Sequence, residues 1–269
     1  MELGLLTILL LLAVGLATGV AAGFLGVGGG IILMPALLEL FFLWKVPEEV
    51  HVQAAMGTSL AVATLTTVSA VYRHHRQGNI LWKIVPLLAI TSFAGSWIAS
   101  MISVKIPGEY LQITLGIALI LVASRFLFEK PHPDRPMKSL SVPVWLILGF
   151  GIGVFAGFTG LAGGVILVPA MAFLAHVPSR NLAATSSGVI LFTAMASAVQ
   201  KLTTAPVVHP GDGFVGLVNV VAVIALAAMS IPGAQIGAML NRKAGSSTYR
   251  KVFAVLLLVD SLRLILSAG

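Results

Sequence analysis

Two glycine-rich stretches carry the residues best suited to chemistry in this 269-residue chain. The first is Gly23-Phe24-Leu25-Gly26-Val27-Gly28-Gly29-Gly30, running on to Pro35, and the second, displaced by 134 residues, runs from Gly157 to Pro169. Nine of the fifteen positions from Gly23 to Leu37 are identical in the two copies: Gly23, Phe24, Gly26, Gly29, Gly30, Ile32, Leu33, Pro35 and Ala36. That density of matches marks an internal repeat. Clustered glycines disfavour a helix by roughly 1 kcal/mol each, so each copy reads as a break in an apolar helix. A helix that restarts after a break presents unpaired N–H groups and about half a positive charge. The amides of Gly28, Gly29, Gly30 and Ile31, and of Ala162, Gly163, Gly164 and Val165, are thus expected to cradle a small oxyanion, with Gly26 and Gly160 in the same two turns. The competing reading is that the glycines only let helices pack closely.

Side chains that could assist such a site repeat as well. Thr58-Ser59 and Thr185-Ser186-Ser187 open the third helix of each half, where hydroxyls can donate to the same anion or bond back to the backbone of a neighbouring turn. Gln53 and Asn181, just before them, are expected as caps or gate residues. Gln235 is a polar amide deep in an apolar run and is the favoured side-chain donor outside the glycine motifs; Asn219 is a second buried amide in need of a partner. Few ionisable groups fall within spans. Asp260 and Arg263, three apart, are expected to pair, Glu39 is a candidate for proton coupling, and His74-His75 is expected in a loop as a topological feature rather than a metal site.

These residues need elements to hold them. The composition is 58% hydrophobic and 9% charged, far from the roughly 25% charged content of soluble domains, and defines an all-α integral membrane protein. Apolar runs give about ten segments, at 3–22, 31–44, 54–72, 82–103, 109–128, 142–157, 164–176, 182–201, 213–240 and 247–267. The runs after each glycine motif are too short to cross a core of about 30 Å. They are expected to start partway across, where freed backbone groups face protein or a wet cavity. Matches at Thr58-Ser59 with Thr185-Ser186, Gly95 with Gly233 and Tyr110 with Tyr249 extend the repeat through five segments per half. Residues 1–130 and 140–269 are then the two transmembrane repeats, joined by a charged, proline-rich cytoplasmic linker at 131–139.

With ten crossings, Arg73, Arg76, Lys83, Arg125, Lys130, Arg135, Lys138, Arg180, Arg242, Lys243, Arg250 and Lys251 fall on one side, and Lys45, Lys105, Lys201 and Arg263 on the other. Twelve against four is a positive-inside bias that puts both termini outside the cytoplasm. Five segments per half is an odd number, so the second half is expected upside down relative to the first, the inverted-repeat plan of secondary transporters. The amino terminus lacks a basic region before its apolar run, so no cleaved signal peptide is expected.

Several classes are set aside. The net charge of +7 is explained by the loops rather than by nucleic acid. Cysteine is absent, which removes disulfides and thiolate sites. No His-Glu-x-x-His, Gly-x-Ser-x-Gly or Gly-Lys-Ser/Thr pattern occurs, nor a dinucleotide fingerprint, so no enzyme and no cofactor are expected.

The doubled motif from Gly23 to Gly30 with Pro35, its counterpart ending at Pro169, and the Thr-Ser pairs make the chain resemble the TauE/SafE family, the sulfite exporter family of membrane anion transporters. The resemblance covers nearly the whole chain. It implies transport of sulfite or an organosulfonate such as sulfoacetate, with small carboxylates as an alternative. The second copy departs from the pattern at Ala162, opposite Gly28, which favours the first as the stronger half-site. The expected protein is a secondary transporter of the bacterial or archaeal cytoplasmic membrane, binding its anion between Gly26, Gly28, Gly29, Gly30, Gly160, Gly163 and Gly164 with Thr58, Ser59, Thr185, Ser186 and Gln235. An anion channel and a non-transporting membrane subunit or receptor are the rival readings. A homo-oligomer is left open, because lipid-facing and partner-facing apolar surfaces look alike in sequence.

Overall fold

The computed structural model describes residues 5–114, 116, 117, 120, 137, 138 and 140–243. Most of the expected fifth segment, all but two residues of the 131–139 linker, and the tenth segment with Tyr249, Asp260 and Arg263 lie outside the described residues.

The elements in chain order are α1 (Leu5–Leu25), α2 (Gly30–Leu43), α3 (Glu48–Arg76), α4 (Val85–Ser103), α5 (Val142–Thr159), α6 (Gly164–Leu174), α7 (Ser179–Thr203), the strands β1 (Phe214–Val215) and β2 (Val218–Asn219), and α8 (Val220–Lys243). Among the described residues, six helices (α1, α3, α4, α5, α7 and α8) are long and apolar enough to cross a membrane. The chain is an all-α integral membrane protein, with one small hairpin among the described residues. As expected, α2 and α6 are short, with 14 and 11 residues, or about 21 and 16 Å at 1.5 Å per residue.

Four boundaries differ clearly from the sequence reading. Helices α3 and α7 begin directly after Pro47 and Pro178, earlier than the apolar runs suggest, and Glu48 and Glu49 occupy the first turn of α3, where acidic groups favour the helix dipole. At its other end α3 continues through His74 and His75, which lie in its last turn rather than in a loop. The run expected as helix from 213 opens instead as a hairpin, pairing Phe214 with Asn219 and Val215 with Val218. Gly213 and Gly216 at φ 80° and 58° supply left-handed positions that a helix cannot use. Asn219 then caps α8, its Oδ1 accepting the Ala222 N–H at 2.8 Å, a contact favoured at a helix start.

Two close seams run through the bundle. On α1, Gly15, Gly19 and Gly23 face Leu226, Ser230 and Ala234 of α8 in rising order, so near that a Cβ on any of the three would collide with the facing carbonyl oxygen. On α5, Gly149, Gly153 and Gly157, each 134 residues further on, face Leu88, Ser92 and Ser96 of α4 in the same way. Small residues at four-residue spacing let apolar helices approach closely without a hydrophobic drive between them.

The direction of each helix follows from its contacts. Thr66 meets Ser230 at 2.6 Å and Ser69 donates to the Ile231 carbonyl at 2.9 Å, so α3 runs with α8. Ser96 meets Ser197 and Lys201 donates to Ser103, so α4 runs with α7. Between α3 and α7 the order reverses: Gly57 sits against Lys201, while Asn79, just past α3, accepts from Asn181 near the start of α7. Helices α1, α3 and α8 therefore point one way and α4, α5 and α7 the other. The pair α3 and α7 forms the centre, with 78% of each span's most apolar stretch buried against 39–44% for the other four.

Candidate functional site between the glycine turns

The two glycine motifs fold into the same turn twice. Gly26, Gly28 and Gly29 take φ of 71°, 76° and 77°, and Gly160, Ala162 and Gly163 take 72°, 59° and 81°. Two successive left-handed residues reverse the chain after α1 and after α5 and restart it as α2 and α6. Ala162 holds this conformation at a cost of about 1–2 kcal/mol, so the turn, rather than the glycine at this position, is what both halves share. The carbonyls of Gly29 and Gly163 each accept two amides of the new helix, from Ile32 and Leu33 and from Ile166 and Leu167. Among the described residues, no acceptor is bonded to the amides of Gly28, Gly29, Gly30 and Ile31, or to those of Ala162, Gly163, Gly164 and Val165.

The turns also meet each other. A Cβ on Gly30 would stand 2.8 Å from Leu161 Cα, one on Gly164 2.5 Å from Val27 Cα, and one on Gly28 3.1 Å from the Ala162 methyl. Every residue from Gly26 to Ile31 and from Thr159 to Val165 is buried. Around Ala162 lies a small apolar cluster of Leu60, Ala63, Ile190, Ala194 and Ala198 from α3 and α7. The described conformation is closed over both turns.

The hydroxyls at the head of α3 and α7 divide into two roles. Ser59 donates to the Gly160 carbonyl at 3.1 Å, and Ser186 donates to the Gly26 carbonyl. Each half thus braces the other half's turn. Thr58 instead accepts the Asn219 N–H at 3.0 Å and Thr185 accepts the Leu81 N–H at 3.1 Å. A hydroxyl that accepts keeps its own proton to give, so the threonines retain a donor and the serines have spent theirs.

Other expected residues fall elsewhere. Gln53 and Asn181 tie their helices to neighbouring loops, donating to the carbonyls of Ile106 at 2.9 Å and Asn79 at 2.7 Å. Gln235 is half-buried on α8 and, among the described residues, bonds to neither turn. Glu39 stands on the exposed face of α2.

Two buried groups escaped the sequence reading. Lys201, counted as a loop charge, lies within α7 and is fully buried, its Nζ donating to Ser103 Oγ at 2.8 Å. His74 is also fully buried, its Nε2 lying 3.0 Å from the Gly23 carbonyl. The two stand 127 residues apart, the offset that relates Thr58 to Thr185. Carrying that offset along the third helix of each half would have singled them out.

A helical bundle with two interrupted helices meeting at its buried centre is the form of a polytopic membrane protein. The model of the sulfite exporter TauE/SafE family matches residues 11–264, and the chain belongs to that family, which places it among membrane transporters rather than enzymes. It is 27% identical over 265 residues to a probable membrane transporter protein of Haemophilus influenzae, covering 96% of this chain and 98% of that protein. It is 26% identical to the probable membrane transporter protein YunE of Bacillus subtilis, covering 97% and 98%. A probable membrane transporter protein of Methanocaldococcus jannaschii is 27% identical, with 97% of both chains covered. No solved structure matches.

Proposed function

We propose that this protein moves a small sulfur-containing anion, sulfite or an organosulfonate such as sulfoacetate, across the cytoplasmic membrane by alternating access. The anion binds between the two turns. The observation that carries this reading is the pair of turns itself: two helix N-termini, brought together in a buried centre, whose first amides have no acceptor among the described residues. Such N-termini favour anions, and their dipoles act more strongly where water is excluded. Thr58 and Thr185 are the side-chain donors, because their hydroxyl protons are uncommitted. Ser59 and Ser186 position the turns rather than touch the anion.

Inverted repeats of five segments, ten in all, complete the proposal. Their support is the antiparallel run of α3 against α7, together with the exchange by which α1 packs on α8 and α5 on α4. Both termini are then outside the cytoplasm, the side opposite the twelve Lys and Arg residues. Closure of the turns against each other favours alternating access over an open channel.

Thermal stability of the purified protein with sulfite, sulfoacetate, thiosulfate, sulfate, acetate and chloride tests the reading. A ligand bound only to the folded state adds roughly 2.7 kcal/mol at a hundredfold excess over Kd. Stabilisation by a sulfur oxyanion, with exchange of that anion across vesicles containing the protein, is the expected result. Absence of any shift at tens of millimolar, with the protein folded, would overturn it.

A further inference from the structure

We propose that Lys201 is the cationic side chain of a second anion station, formed with Ser103 and Thr58 where α7, α4 and α3 converge. The inference rests on the anion-transport reading and adds to it a lysine that the glycine turns do not contain; Thr58 is common to the two sites, and its single hydroxyl proton serves one anion at a time.

Lys201 is fully buried, and its ammonium carries three donors. One is used, on Ser103 Oγ at 2.8 Å. Among the described residues no carboxylate pairs with it. A buried ammonium without a counter-charge is costly, and an anionic ligand offsets that cost. The surroundings are donors as well. Lys201 Cβ lies 3.1 Å from where a Cβ on Gly57 would stand, so the base of the side chain packs on α3 one residue from Thr58, which keeps a free hydroxyl proton. Asn219, whose N–H bonds Thr58, holds a buried Nδ2 with no partner.

The station lies beside the second glycine turn. A Cβ on Gly160 would stand 3.0 Å from Met56 Cα, one residue before Gly57, and Ser59 bonds the Gly160 carbonyl. The repeat also shows that a plain structural role would look different. At the counterpart positions His74 is bonded to the Gly23 carbonyl and Asn241 to the Phe24 carbonyl at 2.8 Å. There the polar pair is spent on backbone acceptors at the first turn. At the second turn Ser103 likewise gives its proton to a backbone carbonyl, that of Ser100 at 2.9 Å, but among the described residues the ammonium meets only that hydroxyl, so its charge is left for a mobile partner.

The test uses the full-length protein with sulfite and sulfoacetate as probes, comparing wild type, Lys201→Met, Lys201→Arg and Ser103→Asp by thermal shift and by anion exchange in vesicles. Lys201→Met is expected to raise Kd at least tenfold while leaving the ligand-free melting temperature unchanged or higher. Lys201→Arg should restore part of the affinity. Ser103→Asp places a carboxylate on the ammonium, so it should abolish the anion shift in a stably folded protein, which keeps the test valid if Lys201→Met does not fold. Wild-type affinity in Lys201→Met or in Ser103→Asp overturns the station and leaves the turn-based site standing. No shift in wild type with either probe overturns the anion reading and this station with it.

Discussion

Adjacent glycines in the first turn should respond very differently to a single methyl group. Gly28 and Gly29 share nearly the same backbone, at φ 76° and 77°, so alanine at either meets the same left-handed penalty of about 1–2 kcal/mol. Their surroundings differ. A Cβ on Gly28 would come 3.0 Å from Ile190 Cγ2 and 3.1 Å from the Ala162 methyl, contacts that a side-chain shift of a few tenths of an ångström relieves. A Cβ on Gly29 would collide with Thr18 Cγ2 and stand 3.1 Å from the Thr18 carbonyl oxygen, with backbone on one side and little room to yield. Overpacking of that kind adds about 1–3 kcal/mol. Gly28→Ala is therefore expected to cost about 1–2 kcal/mol and Gly29→Ala about 2–5 kcal/mol. At roughly 2–4 °C per kcal/mol for a chain of this size, Gly28→Ala should melt several degrees low and Gly29→Ala lower still by thermal unfolding in detergent. Thr18→Ser removes the colliding methyl, so the double variant with Gly29→Ala should recover the packing part and keep the backbone part. Equal losses at Gly28 and Gly29, or no recovery with Thr18→Ser, would refute the claim that packing against α1 distinguishes the two positions.

The two kinds of helix glycine give a second contrast. Gly19→Ala should lose about 1–3 kcal/mol by prising α1 from α8, whereas Gly151→Ala, with nothing within 4 Å of the added Cβ, should gain up to about 1 kcal/mol from helix propensity; thermal unfolding reads both signs. The hydroxyl pair of Ser96 and Ser197, 2.6 Å apart and buried between α4 and α7, should show coupling. Ser96→Ala and Ser197→Ala each lose about 0.5–1.5 kcal/mol, and a double-mutant cycle should find the pair costing at least about 0.5 kcal/mol less than the sum.

What was legible in the sequence was whatever duplication wrote twice. The matched glycines placed both turns and both short helices, because a break in an apolar helix is visible as composition. The hairpin before α8 was not legible as such: Phe214, Val215, Leu217 and Val218 are as apolar as a span, and only the glycines around them signal the bend. Helix starts at Glu48 and Ser179 were missed because hydropathy finds the apolar run, while the helix begins at the preceding proline. The Thr-Ser pairs were found, yet their division into a brace and a free donor depends on which partner each hydroxyl meets across the bundle. Lys201 was misread for a related reason. Charge counting assigns every lysine to a loop, and burial of an ammonium is a property of α3, α4 and the hairpin closing over it, not of its own neighbours in sequence.

The two glycine turns agree in backbone, while several side chains around them differ between the repeats. Ala162 stands for Gly28, Lys201 for His74 and Ser103 for Asn241, while Ser96 and Ser197 occupy positions held by Ala234 and Ala70 in the other half. The second set makes the α4–α7 seam polar through Ser92, Ser96, Ser100 and Ser103, each hydrogen-bonded to Thr193, Ser197, Gln200 or Lys201; among the described residues its α3–α8 counterpart has one hydroxyl pair, Thr66 and Ser230, with Ser69 donating to the Ile231 carbonyl. On the proposed reading, two turns alike in backbone geometry would offer the anion the same amide cradle from either side. A directional preference then has to come from what differs, and the largest difference in charge is an ammonium on one side and an imidazole bonded to a carbonyl on the other. If the proposed anion transport is easier from one face, Lys201 and the polar seam leading to it are the expected source of that asymmetry.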